Sequence, residues 1–271
     1  MLRTVRTRLD LSISGRTNMV FSLAVAQGAR LESETLSFVL DGQPQQYTEL
    51  VDPNGTRLQQ FISGPGTMVV EYEAVIQGTV PPHPVVDIDL ITYLRPSRYC
   101  ESDSLTPTAR SEFAGLRGHD LLTAVTLWVW EKLRYVPGSS VVTDGAEQTL
   151  LARRGVCRDY AHLVIALLRA LDVPARMTSV YAPGLTPMDF HAVAEAYVDG
   201  TWWMVDATRL APRQSMGASQ PAGTPPTPRS SPTTGRTSSS PTWRCSRSST
   251  SCRPTTPASS CSWTESAEAV R

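Results

Sequence analysis

The stretch "FHAVAEAYVDGTWWMVDAT", residues 190–208, leaves this chain few ways to fold. Asp199-Gly200 is a dipeptide favoured in two-residue hairpin loops, and it separates two runs with strand-like alternation. With those two residues as the loop, Val198 faces Thr201, and the same register sets Val193 opposite Asp206. His191 is two residues from Val193, so it lies on the same sheet face, diagonal to Asp206. Diagonal neighbours are roughly 7–8 Å apart at the backbone, within reach of long side chains. On an outer face such a pair is only a surface histidine beside a turn aspartate. A third residue changes its meaning.

That residue is Cys157, in "RRGVCRDYAHL", residues 153–163. The apolar run Leu163-Val164-Ile165-Ala166-Leu167-Leu168 follows at once and reads as a buried helix that ends near Asp172, because Pro174 follows. A cysteine used for packing would sit among the leucines, whereas this one stands at the helix mouth. There the free N–H groups and the helix dipole favour a thiolate, the nucleophilic form of a thiol. Gly155 permits a tight turn and close approach of a substrate. A thiol nucleophile also needs a base and a group that orients the base. His83 and His119 lie in or beside turns, and His162 is about 140° round the helix from Cys157, pointing away from the thiol. His191, oriented by Asp206 through an Nδ1–H bond, is the base this geometry selects.

The rest of the chain frames these residues. Residues 1–97 read as β-structure: Leu9-Leu11-Ile13, Phe21-Leu23-Val25, Leu36-Phe38-Leu40 and Met68-Val70-Tyr72-Ala74-Ile76 each alternate with more polar neighbours. Asp41-Gly42 and Asn54-Gly55 supply turns, and strands with one apolar face bury it by packing as an antiparallel sandwich. No cluster in this region suggests chemistry, so it reads as an accessory domain. Residues 98–212 read as a second, α+β domain. A helix start is expected at Thr106-Pro107, followed by a stripe of Leu121, Leu122, Val125, Trp128, Val129 and Leu133. A short helix through Leu150, the Cys157 helix and strands over 176–181, 190–198 and 201–207 complete it. Trp202 and Trp203 alternate faces, so one is expected inside and the other at the cleft. The Pro/Gly-bearing loop 181–190 is either part of the entrance or a plain connection.

Residues 213–271 are dominated by Ser, Pro, Thr and Arg without periodicity, the composition of a disordered tail. A second reading is a frameshift. Taking codons from the third base of one triplet and two of the next lets residues 221–231 become "TGRDAADTAFL" and 238–252 a strand-like, valine-rich run. Three of the five cysteines (Cys245, Cys252 and Cys261) fall in this tail, which leaves Cys100 and Cys157, too few for a disulfide or zinc framework. No metal and no cofactor is expected. The 25 basic and 25 acidic residues balance, giving no electrostatic reason to bind nucleic acid or an anionic membrane. No apolar stretch is long enough to span a bilayer, and the N-terminus lacks the features of a secretory signal, so a cytoplasmic location is expected.

"RRGVCRDYAHL" and "DFHAVAEAYVDGTWWMVDATRLAP" together resemble the transglutaminase-like superfamily, whose papain-like core carries cysteine, histidine and aspartate in this chain order. The resemblance is strong over about 98–212, and the upstream β-region is similar to the domain that accompanies bacterial members. It implies Cys157 as nucleophile, His191 as general base and acid, and Asp206 as orienting carboxylate, acting on a protein or peptide substrate. The reaction implied is thiol-dependent acyl chemistry on amides through a thioester, as in a cysteine peptidase or amidase or a protein-glutamine transglutaminase. Arylamine N-acetyltransferase-like acyl transfer ranks lower, because "RRGVCRDYA" departs from the R-G-G-x-C-x-E-x-N pattern typical there. A non-catalytic peptide-binding module on the same fold is disfavoured by an intact set of three residues. The oxyanion-hole side chain is not legible: the backbone N–H of Cys157 is one donor, and Trp128 and Tyr160 are the side chains considered.

Overall fold

The computed structural model describes residues 2–78, 85–182, 184–185 and 189–211, and the backbone of two short strands at 217–218 and 248–253. The first part of the chain is sheet-rich. Strands β1 (Leu2–Ile13), β2 (Thr17–Phe21), β3 (Leu31–Leu40), β4 (Gln43–Pro44), β5 (Thr48–Val51), β6 (Arg57–Ser63) and β7 (Gly66–Gln77) form two antiparallel sheets. One contains β1, β7, β3 and β4 in that order, and the other β2, β6 and β5. Alternation does the work expected of it: β1 buries Val5, Leu9, Leu11 and Ile13, and β7 buries Met68, Val70, Tyr72, Ala74 and Ile76. Phe38 from the first sheet meets Phe61 from the second edge-on, ring centroids 4.9 Å apart, and Phe21 joins them. Asp41 and Gly42 both take positive φ in the β3–β4 loop, as a primed hairpin turn demands. The expected strand over 21–25 stops at Phe21. Leu23, Ala24 and Val25 are buried as irregular chain: Leu23 joins the phenylalanine core, Ala24 and Val25 pack with Tyr72, and the Val25 N–H donates to the Tyr72 hydroxyl.

The second part is built round one helix. Helices α1 (Asp87–Thr92), α2 (Ser102–Glu112), α3 (Gly118–Lys132), α4 (Ala146–Ala152) and α5 (Cys157–Arg169) precede strands β10 (Ala175–Tyr181), β11 (His191–Val198) and β12 (Thr201–Val205). Two-residue strands β8 (Arg134–Tyr135) and β9 (Arg154–Gly155) pair in parallel ahead of α5. Every residue of α5 from Asp159 to Arg169 is buried, because α2, α3 and α4 pack round it and β11 lies against it. A helix that is apolar nearly all round needs such a central place. Helix α2 begins at Ser102, not at Thr106-Pro107, which leaves Pro107 inside it. Packing of Leu105 and Ala109 into the core outweighs the backbone hydrogen bond that Pro107 lacks. The mixed α/β architecture with antiparallel sheets, helices packed on one of them and a sheet-rich region before it is the one the sequence suggests.

The tail reading meets a partial exception. Ser248–Arg253 (β14) pairs antiparallel with β1, and Gly217–Ala218 (β13) pairs with β10. The outer edges of β1 and β10 offer unpaired backbone groups, and main-chain pairing there does not depend on an apolar side-chain pattern. The other residues beyond 211 lie outside the described residues, as does His83. Among the described residues no helix is long and apolar enough to cross a membrane.

Candidate active site

The hairpin forms in the expected register: Val198 faces Thr201 and Ala194 faces Val205. Asp199 and Gly200 have φ of 50° and 80°, the left-handed values that fit the turn to the twist of its strands. Asp206 follows the last pair, and its Oδ2 lies 3.0 Å from Nε2 of His191, with both side chains almost wholly buried. The ring is therefore turned over from the sequence expectation, which assigned Nδ1–H to this bond. Thr208 holds the other carboxylate oxygen, donating from its backbone N–H and its hydroxyl, each at 2.8 Å. With Nε2 committed, Nδ1 is buried and has no hydrogen-bond partner among the described residues, and Cys157 is near enough for its charge to act on the ring.

Cys157 is the first residue of α5 and half-buried, with its sulfur 3.9 Å from the carbonyl oxygen of Phe190, the residue before His191. Chain separation of more than thirty residues is thus closed at the sulfur. The turn before the helix is tight. Asp159 accepts the Val156 N–H at 2.8 Å, and its other oxygen accepts the Ser140 hydroxyl at 2.8 Å. Arg158 reaches the same serine and the Val141 carbonyl, tying the 136–145 loop to the first turn of α5. A Cβ on Gly155 would stand 2.7 Å from Cβ and 2.8 Å from Oδ2 of Asp159. Gly155→Ala is therefore expected to push Asp159 off the helix start and to cost about 1–3 kcal/mol, read as a lower Tm and slower alkylation of Cys157.

Electrostatics at the pair run in one direction. Burial, the largest influence on His191, works against its cation, but hydrogen bonds and charge from Asp206 and Cys157 outweigh it and raise the pKa to about 9. Burial likewise opposes the Asp206 carboxylate, yet His191 and Thr208 hold its pKa below the ordinary value. At neutral pH the ring is a cation between a carboxylate and a sulfur. Such an arrangement stabilises a thiolate and stores a proton for a leaving group.

The other histidines stay out of it. His162 stacks flat on Tyr99 at 5.2 Å, and burial is the main reason its pKa falls to about 3. His119 sits 3.7 Å from Asp199 and edge-on to Trp203 at the far end of the hairpin. Neither tryptophan of the hairpin is found at Cys157: Arg176 lies 4.2 Å over the ring of Trp202, and Trp203 donates to the Val198 carbonyl. Trp128 donates to Glu112, and Tyr160 is buried in the helical core. The side chain that sequence reasoning missed is Tyr135. Its strand pairs Tyr135 with Gly155, two residues before Cys157, and its ring lies 6.0 Å from that of Tyr160. Burial first, and then the charge of Cys157, raise the phenol to about 12. A two-residue strand has no periodicity by which to find it.

Tyr181 and Phe190, at the two ends of the 181–190 stretch, are braced by the sheet-rich region. Phe190 packs on its phenylalanine core, Tyr181 stacks on Tyr72, and the Tyr181 hydroxyl donates to the Leu23 carbonyl at 2.7 Å. The region read as accessory thus helps to fix the backbone that touches Cys157.

Comparison with known proteins bears on the family and the fold. Residues 110–207 match the transglutaminase-like superfamily. A crystal structure of a candidate cysteine protease from Cytophaga hutchinsonii superimposes with a TM-score of 0.72 at 31% identity, covering 81% of each chain. An uncharacterised protein of Mycobacterium leprae is 35% identical over 95 residues, which cover 32% of this chain and 34% of that protein. An uncharacterised Mycobacterium tuberculosis protein is 42% identical over 53 residues, 20% of this chain and 17% of its own length. The matched part of the chain thus spans 34% and 17% of these mycobacterial relatives.

Proposed function

Because the chain belongs to the transglutaminase-like superfamily, we propose that it hydrolyses amide bonds as a cysteine peptidase or amidase, with Cys157 as nucleophile, His191 as acid and base, and Asp206 as the group that orients and charges His191. The single observation that carries this reading is the buried Asp206–His191 bond at 3.0 Å, with the sulfur of Cys157 held 3.9 Å from the carbonyl oxygen of Phe190, the residue before His191. Likeness to the Cytophaga protein favours hydrolysis over amine transfer.

In the reaction the Cys157 thiolate attacks the carbonyl carbon, forming a C–S bond, and the carbonyl π pair moves to oxygen. Collapse of the tetrahedral species breaks the C–N bond, and the His191 imidazolium gives its Nδ1 proton to the departing amine. A thioester and a neutral imidazole remain. Water then enters, His191 takes one of its protons, hydroxide adds to the thioester, and the C–S bond breaks to give the acid and the thiolate–imidazolium pair again. Asp206 stays ionised throughout.

The test is incubation with unfolded casein followed by mass spectrometry of Cys157 and of the products. New α-amino termini together with an acyl adduct on Cys157 are the expected result. Ammonia release from glutamine without new termini would replace hydrolysis of the main chain by glutaminyl chemistry, and absence of any acyl adduct would overturn thioester catalysis.

A further inference from the structure

We propose that Asp189 sets the charge preference of the site: its carboxylate stands at the mouth beside Cys157 and favours substrates with a lysine or arginine side chain next to the scissile amide. This rests on the reading of Cys157 as nucleophile. It adds what that reading leaves open, the class of peptide the site takes.

Three consecutive residues mark where the chain surfaces. His191 is buried, Phe190 is half-buried with its carbonyl oxygen 3.9 Å from the Cys157 sulfur, and Asp189 is exposed. Followed backwards from His191, the chain thus leaves the interior at the sulfur, and Asp189 is the first side chain in solvent. Its Oδ1 accepts the Phe190 N–H at 2.7 Å, which fixes the carboxylate against the residue whose carbonyl meets the thiol. Traced through Phe190, Oδ1 lies no more than about 10 Å from the sulfur. A lysine or arginine beside the attacked amide is long enough to bring its charge to that carboxylate.

Charge around the site is otherwise paired. Within two residues of Cys157, His191 and Asp206, the charged side chains are Arg158, Asp159, Asp189, His191 and Asp206. Arg158 lies 3.3 Å from Asp159 and also donates to Ser140 and the Val141 carbonyl, while His191 lies 3.0 Å from Asp206. Of these five, Asp189 alone has no ion-pair partner among the described residues. Its charge also acts on Tyr135, whose strand pairs opposite Gly155, so the carboxylate looks toward the start of α5. With a thiolate beside it, the mouth is negative. A unit charge about 7 Å away in water enriches a cation about threefold and depletes an anion by the same factor.

Small reagents of opposite charge test this at the sulfur. Cys157 of the full-length protein is labelled at pH 7 with 2-aminoethyl methanethiosulfonate, a cation, with its 2-sulfonatoethyl counterpart, an anion, and with neutral iodoacetamide. Each rate is divided by that of 2-mercaptoethanol with the same reagent. The cation-to-anion ratio is expected to exceed one in wild type and to fall about fivefold in Asp189→Asn at low ionic strength. Asparagine keeps the Oδ1 acceptor for the Phe190 N–H, so the iodoacetamide rate should change less than twofold. Asp189→Glu, which restores the charge, should restore most of the ratio. In a casein digest, new termini should lie beside lysine or arginine more often than their share of the sequence, and this bias should fade in Asp189→Asn. An unchanged ratio in Asp189→Asn, a wild-type preference for the anion, or a digest without the bias overturns the proposal. So does an equal loss with all three reagents, which would make Asp189 a support of the backbone alone. If no reagent labels wild-type Cys157 below about pH 8, the nucleophile itself falls, an outcome readily told from the others.

Discussion

Cys157→Ser is expected to abolish both amide hydrolysis and the acyl adduct, the largest effect of any single substitution here. Serine keeps the shape of the helix mouth, but its hydroxyl does not ionise near neutral pH, so no ion pair with His191 forms. The companion measurement is iodoacetamide labelling at pH 6, in which Cys157 is expected to react at least about 10²-fold faster than Cys100. Cys100 is buried, and burial pushes its thiol up to about 11. Peptide mapping after short labelling times reads both sites at once. A Cys157 that reacts only above about pH 8, as an ordinary thiol does, would identify a packing residue and remove the nucleophile from the mechanism.

His191→Ala should lower turnover by about 10²–10⁴-fold, the usual contribution of a positioned acid–base group, and Asp206→Asn should approach it. Asparagine cannot hold a positive ring, so only Cys157 would then oppose the burial of His191 and its pKa would drop from about 9. The consequence for stability has a definite sign. His191 has a folded pKa above its ordinary 6.5, so its contribution is complete below 6.5 and is lost as pH rises through about 9. Asp206 has a lowered pKa, so its contribution is present above 3.8 and is lost as pH falls through the folded value. The Tm gap between wild type and Asp206→Asn should therefore be widest between about pH 4 and 6.5 and should close toward pH 9. A gap that grows from pH 6.5 to pH 9 would contradict a charged ring. NMR titration of the His191 ring gives the same answer without melting the protein.

Much of the site was legible because it depends on local rules. A two-residue Asp-Gly loop admits one register, so the diagonal approach of His191 and Asp206 follows from counting residues. An apolar run with a lone thiol before it places that thiol at a helix start, because the leucines must go inside and the cysteine is too early to join them. Pro107 shows the limit of such rules. Its preference for a first helical turn is worth less than the core contacts of Leu105 and Ala109, and the helix starts five residues before it. The strand expected over 21–25 failed similarly, since Leu23 is buried in the phenylalanine core and Val25 against Tyr72 without a sheet partner.

Taken alone, the sequence determined the hairpin, the helix with Cys157 at its mouth and the three residues that converge, since each rests on turn chemistry or on the burial of a continuous apolar face. Tertiary structure alone decided which nitrogen of His191 meets Asp206, for a ring flip changes no spacing and is set by where the Asp206 carboxylate and Thr208 sit. It also decided that Phe190 would be held by the phenylalanine core of a distant sheet, and that two residues of β8 would pair with two of β9 to set Tyr135 opposite Gly155. These contacts join segments twenty to more than a hundred residues apart. Their free energy comes from packing and backbone pairing that exist only once the chain has closed on itself, and no local pattern has to announce them.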